Sequence, residues 1–372
     1  MTQRVWMRGN GERSTRGFGI VGAGVISLTH ADAIASLPAA RLVAVTDIEP
    51  ERAKSLAASH DCAVEPDLDA LLARVDVDVV SVCVPSGLHA EVGIRAAAAG
   101  KHLVVEKPVD VSLRAADRLI AAARAAGVVL TVISQHRFDQ GLIELRRLLA
   151  EGQLGRLVLG EASTKWYRSQ GYYDSAAWRG TWALDGGSLM NQGIHYLDLL
   201  LWSMGPVAEV TALFSTQTHQ IEVEDAALAL LRFTSGAVGT LVASTAVFPG
   251  FAQRLEISGT GGTVVIEDGE IIRRELSAAG TETGSPDGSM GPRGSARSGA
   301  AATPAGLEIA SHAAQISDLL DAIDEGRAPA VAGEDGRAAL EIVCAVYESA
   351  RDRRTVRLPA VPHRSDNHRG SS

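Results

Sequence analysis

Gly17-Phe18-Gly19-Ile20-Val21-Gly22-Ala23-Gly24-Val25-Ile26-Ser27 is the stretch of sequence that decides the fold. Residues 17–21 form a short apolar run, as in a buried strand, and the glycines after it are typical of a tight turn that opens a helix. In such a turn Gly22 allows the bend and Gly24 lets the main chain approach a pyrophosphate. The helix N-terminus, which includes Val25 and Ile26, supplies N–H groups and a positive dipole. The stretch therefore predicts a strand–turn–helix unit that binds a dinucleotide.

Short apolar runs and alanine-rich stretches keep alternating as far as residue 134. The predicted strands are 18–21, 42–46, 79–84, 102–105 and 128–133, and the predicted helices are 27–36, 51–59, 88–99 and 113–126. Because these strands are almost wholly apolar, the pattern indicates a parallel sheet that is covered on both faces. Residues 16–138 are therefore predicted to form an NAD-binding Rossmann domain.

The pattern changes after residue 138 to β-branched, partly alternating segments separated by glycine turns. The predicted strands are 157–169, 207–217, 225–233, 238–246, 252–258 and 263–275, and the predicted helices are 141–150, 193–204, 307–325 and 336–350. The strands are too closely spaced for helical crossovers, so residues 139–360 are predicted to form an α+β domain with a large open, mostly antiparallel sheet. Composition predicts a flexible extension at 1–15, a flexible insertion at 277–304 and a disordered tail at 361–372.

Net charge, hydropathy and cysteine content indicate which partners and which cell compartment are compatible with this chain. The net charge of −9 disfavours nucleic acid and anionic membranes as partners, and no apolar run is long enough to span a bilayer. The three cysteines are widely spaced, with no metal-type pair among them. We therefore expect a cytoplasmic protein with a small-molecule substrate and no bound metal.

Three candidate cofactor residues follow predicted strands at the sheet edge where parallel sheets bind ligands. Asp47 ends the second strand, where a carboxylate would hydrogen-bond the ribose hydroxyls and repel a 2′-phosphate, so NAD is favoured over NADP. Pro85 and His89 follow the third strand and are expected to flank the cofactor. For His89 a capping or packing role is an equal alternative.

Glu106-Lys107-Pro108 closes the fourth predicted strand. Proline forces the residue before it out of helical geometry, so Lys107 leaves the strand on the ligand side of the sheet. Near a nicotinamide, burial and the cationic ring would lower the pKa of this lysine, which could then accept or donate a proton. The alternative is a surface lysine beside an acidic residue. The position favours Lys107 as a catalytic residue and Glu106 as part of the cofactor site.

A glycine pair at 186–187 leads into a predicted helix that carries Asn191 and His195 on one face. Asp198, three residues further, is placed to orient the histidine ring. An Asn/His face on an apolar helix suggests hydrogen bonding to a polyol, and the alternative is a core histidine satisfied by Asp198.

Two aromatic runs, Lys165-Trp166-Tyr167-Arg168 and Trp178-Arg179, combine stacking surfaces with cations. Aromatic faces stack on sugar C–H groups, and Lys and Arg donate to hydroxyls, carboxylates or phosphates. The alternative is a structural aromatic cluster with solvated cations. Lys165, Trp166 and Arg179 are predicted to bind substrate.

Together these motifs resemble the Gfo/Idh/MocA family of NAD(P)-dependent sugar and cyclitol oxidoreductases, over residues 17 to 358. The resemblance implies a Rossmann domain joined to a domain with an open sheet, which commonly mediates dimers and tetramers, so a homodimer or homotetramer is expected. It also implies that Lys107 and His195 line the site between nicotinamide and substrate.

One departure from the family pattern concerns Asn191. Many members carry Asp four residues before the histidine, and an amide cannot shuttle a proton as a carboxylate does. The departure shifts the acid/base role from His195 toward Lys107. The Asn-Gln-x-x-His pattern, together with the 165–168 run, is similar to a subgroup that oxidises the C3 hydroxyl of hexopyranoses, including nucleotide-linked N-acetylglucosaminuronate dehydrogenases.

The sequence thus predicts an NAD-dependent dehydrogenase or ketoreductase that acts on a secondary hydroxyl of a pyranose, a sugar derivative or a cyclitol, at C3 if the subgroup resemblance holds. Lys107 and His195 would be the catalytic residues: Lys107 would carry the proton, and His195 would hydrogen-bond the same or the adjacent hydroxyl and share the proton transfer. Asn191 would orient the sugar. The alternatives are a nucleotide-sugar uronate 3-dehydrogenase, a non-catalytic protein that binds NAD and a sugar, and an enzyme that uses tightly held NAD for elimination or hydrolysis.

Overall fold

The computed structural model describes residues 15–277 and 309–359. The strands of its first sheet are β1 (Arg16–Val21), β2 (Ala40–Thr46), β3 (Ala63–Val64), β4 (Val79–Val82), β5 (His102–Val105) and β6 (Leu130–Val132). The helices between them are α1 (Val25–Ala35), α2 (Pro50–His60), α3 (Leu68–Ala73), α4 (His89–Ala98) and α5 (Leu113–Ala126). The predictions that fall on residues 1–14, 278–308 and 360–372 lie outside the described residues.

The six strands are all parallel and lie in the order β3-β2-β1-β4-β5-β6. The order reverses between β1 and β4, which makes their carboxyl ends the place where an open α/β sheet binds its ligand. The loops after β1, β4 and β5 meet at this edge. Residues of β4 are buried on both sides, because helices cover both faces of the sheet. The predicted Rossmann arrangement is confirmed.

A second sheet follows, with strands β7 (Leu157–Lys165), β8 (Val207–Ser215), β9 (Ala226–Phe233), β10 (Val238–Ser244), β11 (Arg254–Gly259), β12 (Gly262–Glu267), β13 (Glu270–Leu276) and β14 (Val356–Arg357). The helices of this part are α6 (Gln140–Ala150), α7 (Gln170–Asp174), α8 (Ile194–Met204), α9 (Ile309–Glu325) and α10 (Gly333–Asp352). The strand order is β13-β12-β11-β7-β10-β9-β8-β14, and only β7 and β10 pair in parallel. The predicted open, mostly antiparallel sheet is confirmed.

Helices α8 and α10 cover one face of the second sheet. The other face exposes apolar side chains, and β9 alternates between buried and exposed positions along its length. That alternation is typical of a sheet with one core face. Among the described helices, none combines the length and the apolar character that a membrane crossing requires.

The structure differs from the predicted elements at three places, the first of which is the end of β7 at Lys165 and the short helix α7 that follows it. Residues 263–275 are not one strand but the hairpin β12–β13, because Asp268 and Gly269 both take positive φ angles of 45° and 83° and reverse the chain. Residues 63–73 contain β3 and α3, which the sequence analysis did not predict. Elements of two and six residues are too short to show a period.

The last two helices return to the first sheet. α9 packs against α1, and α10 packs against α5 and β6. Gln315 of α9 accepts a hydrogen bond from the Ser134 N–H (2.9 Å) and donates one to the Val132 carbonyl (2.8 Å). The predicted domain boundary at 138/139 falls between the two sheets and remains a proposal, since the C-terminal helices also contact the first sheet.

A buried ion pair fastens the segment after β6 to α8. Arg137 donates from Nε and Nη2 to the two carboxylate oxygens of Asp198 at 2.7 and 2.5 Å, and Ser134 Oγ also bonds this carboxylate. Both charged side chains are less than a tenth exposed. A buried carboxylate that accepts two guanidinium bonds holds its partner in a fixed geometry, so the pair locks α8 in place.

We expect Asp198→Asn to lower the free energy of unfolding by about 3 kcal/mol, because it removes the bidentate partner of the buried Arg137 and leaves only the longer contact with Asp335 at 3.3 Å. Urea unfolding measures the change. The control is Glu51→Gln, which removes the partner of Lys54 in an exposed pair and should leave the transition midpoint in place. A midpoint for Asp198→Asn equal to that of the wild type would contradict the locking role.

Candidate active site

The glycine turn after β1 has the geometry of a phosphate-binding loop. Gly22 has a φ of +94°, and a Cβ there would lie 2.6 Å from the Cys83 carbonyl oxygen, so only glycine fits. A Cβ on Gly24, by contrast, would meet no described atom within 4 Å. Gly24 precedes α1 and has no side chain to cap the N–H groups of the first turn. Open space in front of uncapped N–H groups fits a pyrophosphate.

Asp47 lies at the end of β2 beside this turn. Its carboxylate accepts hydrogen bonds from the N–H groups of Ala23 (2.6 Å) and Glu49 (2.7 Å). The carboxylate therefore stands next to the glycine turn, as the ribose-binding role predicted for it requires. Val25 and Ile26 begin α1 directly after the turn, and Val25 is more than half exposed.

The loop after β4 carries Pro85 and His89, and the structure places these two predicted cofactor residues in different surroundings. Pro85 precedes a short 3₁₀ turn, Ser86–Leu88, at the ligand edge of the sheet. His89 is buried, and its ring nitrogens lie 2.7 Å from the Pro108 carbonyl oxygen and 2.9 Å from that of Val84. With both nitrogens next to main-chain carbonyls, the geometry of His89 supports the packing alternative.

Glu106 is buried beneath the ligand edge. Its carboxylate bonds His30 Nε2 at 2.8 Å and accepts the Lys107 N–H at 3.1 Å. Burial opposes both charges, yet the contact with His30 lowers the pKa of Glu106, and the neighbouring Cys83 side chain, followed by Glu106, raises the pKa of His30. The pair anchors the main chain from which the Lys107 side chain leaves β5.

His30 and Glu106 form a compact group with His312 of α9. Their potential ligand atoms lie within 4.8 Å of one another. His30 Nε2 and Glu106 Oε1 are hydrogen-bonded at 2.8 Å, and His312 Nε2 lies 4.0 Å from the same Glu106 oxygen. The His312 ring also packs edge-to-face on the His30 ring, with 5.6 Å between the two centroids.

The Lys107 ammonium reaches across to the second half of the chain. Its Nζ donates to the main-chain carbonyl of Asn191 at 2.6 Å. Burial lowers the pKa of Lys107, as the sequence analysis expected. The carboxylates of Glu106 and Asp185 act against this effect, and two guanidinium groups add to it, those of Arg168 and Arg179.

Asn191 lies in a π-helical turn, Leu189–Gly193, that leads into α8. Such turns break the regular helical hydrogen-bond pattern and often occur at functional sites. His195, in the first turn of α8, lines the same cavity as Lys107. Burial, together with the nearby Lys107 charge, holds the pKa of His195 well below its usual range, so the imidazole is neutral at neutral pH.

Asp198 does not orient the His195 ring in the way the sequence spacing suggested. Its carboxylate oxygens are held by Arg137 and Ser134. The described ring contact of His195 is an edge-to-face approach to His136, with 5.4 Å between the ring centroids. The spacing of three residues would allow Asp198 to contact His195, but Arg137 binds the Asp198 carboxylate instead.

The start of the π-helical turn is anchored from behind by Glu224. Glu224 accepts the Leu189 N–H at 2.8 Å, and a Cβ on Gly187 would lie 1.3 Å from a Glu224 carboxylate oxygen. Burial raises the pKa of Glu224 to about 7. The glycine at 187 is therefore required by close packing against this carboxyl group.

The aromatic runs form one stacked cluster on the Lys107 side. Arg168 lies over the rings of Trp166 and Tyr172 at 5.0 and 5.3 Å from their centroids. Arg179 lies over Tyr172 and Trp178 at 4.2 and 4.5 Å, and it donates to the Tyr172 hydroxyl at 2.6 Å. The Nε atoms of both arginines are buried, and neither has a hydrogen-bond partner among the described residues.

Lys165 lies apart from this cluster. Side chains alternate along the segment that ends β7, so Lys165 is exposed whereas Trp166 is half-buried. The Lys165 ammonium lies 5.5 Å from the centroid of the Phe251 ring. The structure thus brings Trp166 and Arg179 together, and it leaves Lys165 on the outer side of the strand.

The sequence analysis missed Asp185 and Tyr172 and did not single out Arg168. Asp185 is 2% exposed and immediately precedes the Gly186-Gly187 pair. The available signal was an acidic residue next to a glycine pair. Its partner Asn191 is six residues away, and the irregular segment between them hides the pairing from the sequence. Tyr172 gave no signal, since its role depends on two arginines that stack from separate loops.

Two family models match the chain. The model described as "Oxidoreductase family, NAD-binding Rossmann fold" covers residues 16–134, and the "GFO/IDH/MocA C-terminal domain" covers residues 142–265. An uncharacterized oxidoreductase of Bacillus subtilis, YrbE, is 30% identical over 269 residues, which cover 70% of this chain and 76% of that protein. An inositol 2-dehydrogenase of Rhizobium meliloti is 28% identical and covers 92% of this chain and 98% of its own length.

A solved structure is similar over nearly the whole chain. It is the WlbA dehydrogenase from Bordetella pertussis in complex with NADH and UDP-GlcNAcA. It is 31% identical, has a TM-score of 0.81, and covers 93% of this chain and 100% of its own.

We expect Gly24→Ala to weaken NAD binding at least tenfold without a loss of stability. The added methyl enters open space in the free protein but occupies the approach of the pyrophosphate to α1. Calorimetric titration with NAD, paired with thermal unfolding, measures both effects. Gly22→Ala is the contrasting variant, because its Cβ meets the Cys83 carbonyl and should lower the unfolding midpoint as well. Wild-type NAD affinity in Gly24→Ala would place the phosphates elsewhere.

Proposed function

The chain belongs to the Gfo/Idh/MocA family of NAD-dependent oxidoreductases, which act on CH–OH groups, and from this premise we propose that it oxidises a secondary hydroxyl of a pyranose sugar or cyclitol, or reduces the corresponding ketone. Since the family consists of oxidoreductases, the non-catalytic alternative is not retained. NAD, when bound, supplies the hydride acceptor.

The observation that carries the proposal is the enclosed Lys107 ammonium at the carboxyl end of β5, close to His195. Because burial lowers the pKa of Lys107, the neutral amine forms at a lower pH than it does in a free lysine. In the oxidation direction this amine takes the hydroxyl proton while the C–H hydrogen leaves with its electron pair as hydride. In the reverse direction the ammonium returns the proton to the oxygen.

Two further groups hold the substrate in this proposal. His195, which is neutral, hydrogen-bonds the reacting or the adjacent hydroxyl without holding the proton itself. Trp166 offers a stacking face for the sugar ring. Asn191 faces the same site from the π-helical turn and orients the substrate. Lys165 is not used, because its ammonium contacts Phe251.

We expect Lys107→Ala to lower kcat about a thousandfold while NAD affinity stays close to the wild-type value, because it removes the proton acceptor and leaves the glycine turn intact. In the wild type, kcat/KM for oxidation should rise with pH on a group whose pKa lies below the value of about 10.4 for free lysine. Initial rates of NADH formation across a sugar, cyclitol and nucleotide-sugar panel measure both.

Lys101→Ala is the matched control for this experiment. Lys101 lies just before the opposite end of β5 and donates to the carbonyls of Arg74 and Val77, so its loss should affect stability and leave kcat unchanged. Retained turnover in Lys107→Ala would refute the proton role. Product formation without any release of NADH would instead point to the elimination or hydrolysis alternative.

A second candidate, a nucleotide-sugar uronate 3-dehydrogenase, is favoured by the stacked arginines. Arg168 and Arg179 present buried Nε donors without a described partner, and both lie near enough to Lys107 to lower its pKa. Buried donors of this kind are costly unless a ligand satisfies them, and a carboxylate matches the guanidinium fork. WlbA, which is similar over the whole chain, was solved with a nucleotide-linked sugar acid.

We expect Arg179→Met to raise KM for a nucleotide-linked hexuronate about tenfold or more and to leave KM for the uncharged hexose analogue nearly unchanged. A hydrogen bond to a charged group contributes roughly 1.5–3 kcal/mol. Arg146→Met is the control, since Arg146 stacks on Trp202 at 5.3 Å, on the outside of α6. Equal KM effects on both substrates would refute recognition of a carboxylate.

We also propose that the exposed face of the second sheet joins copies of the chain into a homodimer or homotetramer. Three neighbouring leucines on β8 and β9, Leu213, Leu228 and Leu230, are each more than half exposed. A contiguous apolar patch of this kind is uncommon on a monomer and supports an interface.

A further inference from the structure

Asp185 is a buried carboxylate with two short polar contacts. It lies on the loop before the π-helical turn and is 2% exposed. One carboxylate oxygen accepts the Gly180 N–H at 2.7 Å, and the other accepts the side-chain amide of Asn191. A carboxylate so enclosed is held in one orientation, and it holds Asn191 in turn.

Asn191 transmits this contact to Lys107. Its side-chain NH₂ is bound to Asp185, its side-chain oxygen accepts Gln192 Nε2 at 2.6 Å, and its main-chain carbonyl accepts Lys107 Nζ at 2.6 Å. Each end of the Asn191 amide therefore has one protein partner, and the second N–H of its NH₂ group is left for the substrate. A displacement of Asp185 would turn this residue and move the carbonyl that positions the ammonium.

The charges around Lys107 give Asp185 a second effect. Arg168, Arg179 and the neutral His195 face Lys107 from the second half of the chain, and all of them lack negative charge. Glu106 is the other nearby carboxylate, and its charge is shared with His30. Asp185 therefore offsets a cluster of three cations, and it interacts electrostatically with both Lys107 and Arg179.

Asp185 is itself subject to opposing effects. Burial raises its pKa, whereas the Gly180 N–H, the two cations and the Asn191 amide favour the ionised form. Tyr172 faces the same carboxylate, and its phenol is bound to Arg179. The phenol of Tyr173 also lies near Asp185, so the groups that favour its negative charge are the Gly180 N–H, the Asn191 amide and the two cations.

We propose that Asp185 is a positioning residue for the proton transfer, which orients Asn191 and sets the protonation of Lys107 from outside the helix that carries His195. The inference rests on the proposed function, because it assigns the proton to Lys107. Asp185 does not touch the substrate in this account. It acts through its hydrogen bond to Asn191 and through its charge.

Asp185→Asn tests the charge with nearly the same shape. Without the carboxylate the ammonium is less stable, so the pKa of Lys107 should fall, and the acidic limb of kcat/KM against pH should move about one unit lower. The plateau value of kcat should fall about tenfold, because Asn191 loses its fixed orientation. Asp174→Asn is the control, since Asp174 is an exposed aspartate of α7 and should leave the profile in place.

The exchange of both side chains, Asp185→Asn with Asn191→Asp, restores the net charge and the carboxylate–amide pair. In this double variant the acidic limb should return toward its wild-type position. Asn191→Asp alone adds a second carboxylate beside Lys107, and the limb should move to higher pH. This single variant keeps the test decisive if Asp185→Asn does not fold.

Three results would overturn the inference. One is an Asp185→Asn enzyme that loses stability and activity while its acidic limb stays in place, which is the signature of a purely structural role. The second is an equal shift in Asp174→Asn, and the third is an unmoved limb in Asn191→Asp. An active Lys107→Ala enzyme would instead refute the proposed function itself, so the two failures are distinguishable.

Discussion

The hydrogen bond from the Lys107 ammonium to the Asn191 carbonyl is the contact on which the rest of the site depends. Lys107 leaves a parallel sheet at its ligand edge, and Asn191 lies in a π-helical turn in front of α8, which packs on the second sheet. The contact therefore joins the nucleotide-binding loops to the aromatic cluster. Glu106 accepts the main-chain N–H of Lys107, and Glu224 accepts that of Leu189 at the start of the π-helical turn, so both segments are held in place. One cation can consequently face the cofactor and the substrate together.

Charge balance supports the proposed role of Lys107 as the base. Buried charges are stable only when paired, and His30–Glu106 and Arg137–Asp198 satisfy that rule within the scaffold. Lys107 and its neighbouring arginines are left in excess positive charge. Burial, with that excess added to it, lowers the pKa of Lys107, and burial together with the Lys107 charge lowers the pKa of His195. The same excess suits a substrate that brings its own negative charge.

Strongly periodic segments were predictable, and local exceptions were not. The helix predicted at 113–126 is α5 with the same bounds, because Ser112 caps it and Gly127 ends it in a left-handed conformation. The hairpin at Asp268 was missed, since β-branched residues run through both of its strands. Lys165 and Trp166 show the same limit within the site. They are adjacent in sequence, but alternation along a strand sends them to opposite sides.

The sequence by itself determined the features that depend on neighbouring residues. These are the glycine turn at Gly22, the exit of Lys107 before a proline, and the alternation that sets the class of each sheet, since backbone sterics and hydrophobic periodicity act over a few positions. Only the tertiary structure decided which side chains meet. Asp198 took Arg137 instead of His195, and Asp185 took Asn191, because each pairing depends on how packed elements bring distant or irregular segments into hydrogen-bond distance.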